Sequence, residues 1–346
     1  MRVLRLSFVG IFSAKGGVGK TTLTANIGSS LVSEFSKTVC LVDGNLTAAN
    51  LGLHFGLYFS PLTLHDVLDR RTPINTAIYI HPSGVRILPS PISAEKIFTS
   101  PKNLRVQLRK LNGYDHVILD TPPTLGAGTI QSFDAVDQAL IVSTPDPAAV
   151  TDAAKMAIHA EKWGLEVLGL VVNRVANKKY ELSDDEMKSI AGIEIIGKIP
   201  EQEDVRKSLS EGVPEVLRNP YSRFSIEVNK LVAEIFGLRY KPPSIIDRIT
   251  SFAGLGRLSG KRSEELNYER NQRLVIPRDE YRNAPMIERK VSKHPVVYEE
   301  PEEPEEAIEE KISGDAKEQL KSEIVGMLRD SIKAQVASKM RKRGSR

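Results

Sequence analysis

One stretch near the start of the chain constrains the fold more than any other. Ten residues rich in glycine, Ser13–Thr22, directly follow the apolar run Leu6–Phe12. A buried strand, a glycine-rich turn and a helix N-terminus in succession place backbone N–H groups and a helix dipole around an anion. In this pattern Lys20 would contact the β- and γ-phosphates of a nucleotide, and the Thr21 hydroxyl a magnesium ion. A glycine-rich turn without a ligand is the alternative, and the positions of Gly, Lys and Thr argue against it.

The loop has two unusual features beside the general pattern G-x-x-x-x-G-K-[ST]. Ala14 stands where that pattern has its first glycine, and a second lysine, Lys15, has no evident task on a nucleotide that Lys20 already serves. The spelling K-G-G-V-G-K-T-T, residues 15–22, resembles the signature of the MinD/ParA family of P-loop ATPases. Residues 50–53 together with residues 62–68 resemble the segment after the second strand in archaeal MinD-like proteins. The resemblance implies ATP and Mg²⁺ as cofactors. It also implies an ATP-dependent homodimer in which Lys15 reaches the phosphates of the partner subunit.

Short apolar runs alternate with helical patterns up to about residue 240. Several of these runs are nearly continuous, which is typical of strands buried on both faces of a parallel sheet. The segments between them, such as Thr22–Phe35 and Thr151–Trp163, suit crossover helices. The sequence therefore predicts an α/β fold with a mostly parallel central sheet flanked by helices. The predicted strands are Leu6–Phe12, Thr38–Val42, Val85–Leu88, His116–Leu119, Gln138–Ser143, Val167–Val172 and Ile195–Lys198.

The second predicted strand runs into Asp43-Gly44-Asn45, and Asn50-Leu51 follow. The family resemblance implies a D-x-D pattern here, whose first aspartate lies near magnesium and whose second activates the attacking water. Asp43 matches the first aspartate, whereas Asn45 replaces the second. An asparagine can orient a water but cannot accept its proton. The replacement therefore predicts an ATPase slower than its relatives, with Lys15, Lys20, Asp43 and Asn45 as the catalytic candidates.

A further predicted strand ends in Asp120, and a strand-ending aspartate serves either as a helix cap or as a magnesium contact. The presence of the phosphate loop favours the metal role, so the predicted metal contacts are Thr21, Asp43 and Asp120.

The family resemblance also implies a site for the base. The family's adenine-reading asparagine matches Asn173, which Arg174 follows, and the backbone of Ile199–Gln202 would close over the base. Asn173 alone is equally a loop residue that caps its own backbone. The predicted nucleotide-binding residues are Lys15, Gly16, Gly17, Val18, Gly19, Lys20, Thr21, Thr22, Asn173, Arg174, Pro200 and Gln202.

The composition excludes several classes of protein. Hydrophobic residues make up 40% of the 346 residues and charged residues 27%, which suits a substantial core with a polar surface. The single cysteine, Cys40, excludes an internal disulfide and any C-x-x-C metal or redox pair, and with them the iron–sulfur relatives. The apolar run at the N-terminus is short and enters the phosphate loop directly, unlike a signal peptide. We expect a cytoplasmic protein, in peripheral contact with the inner face of the membrane if its tail binds lipid.

The character of the sequence changes after Tyr240. Residues 1–240 predict the ATPase domain, 241–314 a charged and proline-containing linker, and 315–343 a basic amphipathic helix in a largely disordered tail. Residues 299–310 alone carry a charge of −8, whereas the whole chain carries +4. The segment 244–258 also has apolar residues at helical spacing, so it is either a second membrane-seeking helix or a helix docked on the core.

The tail leaves two main functions open. Amphipathic segments with basic flanks bind anionic lipid, which favours a MinD-like switch that positions machinery at a membrane; a protein partner for the terminal helix is equally compatible. The alternative is a ParA-like partitioning ATPase that binds DNA without sequence preference. The near-neutral charge of residues 1–240 and the acidic linker argue against DNA. A metabolic P-loop enzyme is a distant third hypothesis, since we find no motif for a second substrate.

Overall fold

The computed structural model describes residues 6–91 and 103–244, and a single eight-stranded sheet forms its centre. The strands are β1 Ser7–Phe12, β2 Val39–Asp43, β3 Tyr79–Ile80, β4 Arg86–Leu88, β5 His116–Asp120, β6 Gln138–Ser143, β7 Glu166–Val175 and β8 Ile195–Pro200. They lie in the order β3-β4-β2-β5-β1-β6-β7-β8, and each neighbouring pair is parallel except β3 with β4. The predicted mostly parallel sheet is therefore confirmed.

Helices connect the strands and cover the sheet. They are α1 Lys20–Ser33, α2 Leu64–Leu68, α3 Leu104–Leu108, α4 Ala127–Ala135, α5 Pro147–Lys162, α6 Asp184–Ala191, α7 Glu203–Glu211, α8 Glu215–Arg218 and α9 Arg223–Phe236, with short 3₁₀ turns at Gly52–Phe55 and Ile74–Ala77. Within residues 6–91 and 103–244, no helix combines the length and the apolar character needed to cross a membrane. The predicted segment 315–343, the segment 244–258 apart from Ser244, and nearly all of the linker 241–314 lie outside the described residues.

All seven predicted strands are present, with ends shifted by at most a few residues, whereas β3 was not predicted. That strand has only two residues, half-buried Tyr79 and exposed Ile80, which is too short for any periodicity. Two helices also begin earlier than predicted. Helix α1 begins at Lys20 because Gly19 is its N-cap, and α5 begins at Pro147 because the Asp146 side chain accepts a hydrogen bond from the Ala149 amide.

The central strand β1 is buried on both faces. Phe8 and Phe12 join the apolar cluster on one side of the sheet, whereas Val9 and Ile11 join the cluster on the other. This alternation follows from the two-residue period of a strand. A strand fixed from both sides gives the loop that follows it a rigid base.

The buried histidine His54 predicts a dependence of stability on pH. It is 6% exposed, and burial lowers its pKa to about 4. Because this folded-state pKa lies below the unfolded value near 6.5, the stability that neutral His54 contributes is complete above pH 6.5 and is lost as the pH falls toward 4. We expect the wild type to lose about 2 kcal/mol more unfolding free energy than His54→Leu between pH 7 and pH 5. Urea denaturation at both pH values measures the difference, and parallel losses would contradict the prediction.

Candidate functional site

Three adjacent strands bring the predicted site residues to one edge of the sheet. Strands β2, β5 and β1 are neighbours in that order, and all three are parallel. Their carboxyl ends therefore meet, and there Asp43 and Asp120 lie directly opposite each other in the β2–β5 register. The glycine-rich loop, residues 13–19, leaves the end of β1 beside them. This edge is where open α/β sheets bind ligands.

The backbone of the loop requires its glycines. Gly17 and Gly19 have φ angles of +81° and +89°, in the left-handed region that favours glycine. A Cβ atom at Gly19 would also collide with Nδ2 of Asn173, which donates a hydrogen bond to the Val18 carbonyl oxygen at 2.7 Å. Helix α1 begins immediately afterwards with no side-chain cap. Its first N–H groups are therefore available to an anion.

A hydrogen-bonded cluster forms behind the loop. The Thr21 hydroxyl donates to Oδ2 of Asp120 at 2.6 Å, and the Thr24 hydroxyl donates to Oδ1 at 3.3 Å. Both contacts fix the Asp120 carboxylate against the first turns of α1. The predicted metal contacts Thr21 and Asp120 are therefore direct neighbours.

The Asp43 carboxylate is held by backbone amides of the segment that follows it. It accepts hydrogen bonds from the N–H groups of Asn45 at 3.1 Å, Asn50 at 3.1 Å and Leu51 at 3.0 Å. Asp43 is only 1% exposed. A short loop thus begins and ends on this carboxylate and determines its orientation.

The charges of the cluster are unbalanced. Burial raises the pKa of Asp43 to about 7, with a further contribution from Asp120, while the three amide hydrogen bonds act in the opposite direction. Burial also raises the pKa of Asp120, against the effect of Lys20, and lowers the pKa of Lys20 itself. One buried ammonium thus faces two buried carboxylates. Carboxylate and hydroxyl oxygens are the ligands that Mg²⁺ prefers, so the residues present fit a magnesium ion.

A cleft of about 190 Å³ opens beside the loop. It is lined by predicted nucleotide-binding residues from three parts of the chain, namely Gly17, Gly19, Thr22, Asn173, Arg174, Pro200 and Gln202. Gln202 accepts a hydrogen bond from the Phe224 amide at 2.7 Å, which joins the end of β8 to the start of α9. The cleft has the position and lining expected for the base of a nucleotide whose phosphates lie in the loop.

Arg174 connects the loop to the far wall of this cleft. Its guanidinium donates to the Gly17 carbonyl oxygen at 3.2 Å and pairs with Glu201 at 2.8 Å. Glu201 also pairs with Arg206 of α7 at 3.1 Å. Arg174 has a φ of +60°, which is unusual for a residue with a side chain. The charged network holds the loop and the β8 end at a fixed separation.

The two lysines of the loop occupy different environments. Lys20 is 7% exposed and lies near Asp120 and Asp43. The Lys15 side chain is 48% exposed, and its Nζ lies 3.4 Å from Oδ1 of Asp146, at the N-terminus of α5. Lys15 is therefore at the rim of the site in this single subunit.

Asn45 is turned toward its own loop. Its Nδ2 donates to the Ala48 carbonyl oxygen at 2.9 Å, and its Oδ1 accepts from the Ala48 amide at 3.3 Å. The side chain is thus close to Asp43 along the chain, but its hydrogen bonds are made within the loop.

Several residues of the site carried no recognised signal in the sequence. Val205, Leu209 and Phe224 line the cleft together with Glu201 and Arg206. They come from α7, α9 and the β8 end, and their amphipathic pattern is that of any surface helix. Of these residues, only Glu201 lies inside the stretch Ile199–Gln202 that the sequence predicted to close over the base.

Comparison with known proteins agrees with this geometry. Residues 6–236 match the family model described as ParA, NUBPL iron-transfer P-loop NTPase. The chain belongs to the ParA family of P-loop NTPases.

Individual members of the family are similar along nearly their whole length. An uncharacterized ATP-binding protein of Methanocaldococcus jannaschii is 33% identical over 67% of this chain and 89% of its own. The crystal structure of the cell division ATPase MinD of Pyrococcus furiosus has a TM-score of 0.65 and 32% identity over 67% of this chain and 99% of that one. The septum site-determining protein MinD of Pyrococcus horikoshii, complexed with Mg-ADP, has a TM-score of 0.63 and 29% identity over 73% and 100%.

This sequence lacks the cysteine ligands that the iron-transfer part of the family description would require. Iron–sulfur clusters are held by sets of cysteine thiolates. The only cysteine of the sequence, Cys40, is buried in β2, where burial raises the pKa of its thiol to about 12. A single buried thiol cannot supply the set of thiolates that an iron–sulfur cluster needs.

Proposed function

We propose that the chain is an ATPase that dimerises on ATP and acts as a MinD-like switch for spatial positioning. The observation that carries the proposal is the difference in burial and position between the two lysines of the loop. Lys20 is buried beside Asp43 and Asp120, whereas Lys15 stands half-exposed at the rim of the same loop. A second subunit that docks on this rim would receive Lys15 on its own nucleotide phosphates.

The residues of the site would divide the binding of magnesium ATP among them. The loop amides and Lys20 would hold the β- and γ-phosphates, and Thr21, Asp43 and Asp120 would hold the metal, directly or through water. A bound magnesium ion would supply neutralisation of the phosphate charge. Asn173 and the walls of the cleft would hold the adenine. Arg174 and Glu201, which form an ion pair at 2.8 Å, also line that cleft.

In the proposed dimer, the attraction between Lys15 of one subunit and the phosphates of the other favours association. Lys15 would compensate phosphate charge across the interface, and hydrolysis followed by phosphate loss would remove that contact. Because ATP would then bind the dimer better than the monomer, the nucleotide shifts the population between the two states. Each state can carry a different affinity for a surface, since two weak contacts in a dimer act together.

An anionic membrane and DNA are the two candidate surfaces for the dimer. We propose an anionic membrane, contacted through the tail, because residues 1–240 are close to neutral and offer little net charge to DNA. Co-sedimentation of the full chain with anionic liposomes and with DNA, each with ATP and with ADP, tests the proposal. ATP-dependent sedimentation with liposomes is expected. ATP-dependent sedimentation with DNA alone would replace the membrane by the ParA-like alternative.

Residue 45 predicts the speed of hydrolysis. An aspartate there could accept a proton from the attacking water, and general-base catalysis typically contributes about 10²-fold or more. We therefore expect Asn45→Asp to hydrolyse ATP at least about tenfold faster than the wild type, which lacks that carboxylate. Phosphate release under saturating Mg-ATP measures the two rates. Equal rates would show that the asparagine does not limit turnover.

A further inference from the structure

The Asn45 side chain closes the turn formed by residues 45–48. Both polar atoms of its amide bond to one residue: Nδ2 donates to the Ala48 carbonyl oxygen at 2.9 Å, and Oδ1 accepts from the Ala48 amide at 3.3 Å. The Thr47 hydroxyl also reaches Oδ1, at 3.4 Å. Asn45 is only 7% exposed, whereas Thr47 and Ala48 lie at the surface. The side chain therefore forms the inside of an exposed turn.

This turn determines what surrounds Asp43. The chain leaves Asp43 with the Asn45 amide on Oδ1 and returns with the Asn50 and Leu51 amides on Oδ2. Residues 45–48 form the part of this loop that reverses the direction of the chain. The Asn45 clasp, which we define as the two hydrogen bonds between Asn45 and Ala48, therefore closes the segment that presents the returning amides to the carboxylate.

The clasp requires an amide at position 45. A carboxylate could accept from the Ala48 amide, but it would face the Ala48 carbonyl oxygen with no proton to donate. An alanine could make neither bond. Asparagine is thus the residue that satisfies both backbone groups of Ala48, and the same two bonds keep its polar atoms engaged within the loop.

On the basis of the proposed ATPase function, we infer that Asn45 is a positioning residue that holds Asp43 in place for the metal, rather than a group that orients the attacking water. Its loss should loosen residues 46–51 and weaken the hold of Asp43 on magnesium. An asparagine that acts only on the attacking water would instead leave the binding of magnesium unchanged when it is lost.

Amide hydrogen exchange of the full-length, nucleotide-free protein tests the clasp without any turnover. In Asn45→Ala we expect exchange of the segment 46–51 to rise about fivefold or more, as for the loss of one hydrogen bond. Asn45→Asp should also raise it, because the donation to Ala48 is lost. Asn50→Ala is the matched control: it deletes the same side chain from an exposed position of the same loop and should change exchange at Ala48 less than twofold. Unchanged exchange in both variants at position 45 would overturn the clasp.

Magnesium titration separates positioning from catalysis. The Mg²⁺ concentration for half-maximal binding of fluorescent ADP should rise at least threefold in Asn45→Ala. An unchanged Mg²⁺ requirement in this variant would overturn the inference and leave Asn45 to the attacking water. If the wild type itself fails to hydrolyse ATP, the proposed function fails, whereas the exchange result still decides whether the clasp exists.

Discussion

Lys20→Ala is expected to weaken the binding of ADP and ATP by about 30-fold or more. Lys20 is 7% exposed and interacts electrostatically with the Asp43 and Asp120 carboxylates. Without it, phosphate oxygens would enter a site that holds two buried carboxylates and no compensating side-chain ammonium. Removal of one partner from a buried, hydrogen-bonded charge pair typically costs about 2–5 kcal/mol, which corresponds to a factor of about 30 or more in affinity. Titration with a fluorescent ADP analogue measures the change.

The variant should remain folded, because the raised pKa values allow the two carboxyl groups to take up a proton when the ammonium is absent. Circular dichroism and a urea transition check the fold. Lys15→Ala is the matched control, since it removes the same side chain five positions earlier from the exposed rim. An affinity within threefold of the wild type in Lys20→Ala would contradict the assignment of this loop as the phosphate site.

The sequence could predict which residues lie together where their positions follow from chain order. In a parallel sheet the carboxyl ends of strands meet at one edge, so residues that follow β1, β2 and β5 had to converge. The order of these strands was not derivable from periodicity. The structure places β2, β5 and β1 side by side, with Asp43 opposite Asp120. The phosphate loop and both aspartates therefore form one cluster, as the motifs predicted.

The sequence could not predict contacts that depend on distant segments or on side-chain direction. Lys15 and Asp146 are 131 positions apart, and no local pattern links them. Arg174 reaches back to Gly17 across 157 positions. The partners of Asn45 are close in sequence, but its side-chain amide can form hydrogen bonds either with a water or with Ala48. Only the three-dimensional turn shows that the partner is Ala48.

Lys15→Ala is expected to weaken ATP-dependent dimerisation roughly tenfold or more while the single subunit binds nucleotide within about twofold of the wild type. Lys15 is at the rim, and the buried Lys20 serves the subunit's own phosphates. Because a charge pair buried in an interface is worth about 1.5–7 kcal/mol, the ATP dimer should weaken roughly tenfold or more. Light scattering or sedimentation velocity with ATP and with ADP measures the oligomer, and fluorescent ADP measures binding by the monomer.

Asp146→Asn removes the ion pair of Lys15 without disturbing the start of α5. Asparagine can still accept the Ala149 amide that Asp146 caps at 3.0 Å, so the helix start is preserved. The change removes the carboxylate that Lys15 contacts in the single subunit. An exposed ion pair is worth about 0.2–1 kcal/mol, so freeing Lys15 should strengthen the ATP dimer by at most about fivefold. A dimer as weak in Asp146→Asn as in Lys15→Ala would instead mean that the ion pair itself, and not a free Lys15, supports the interface.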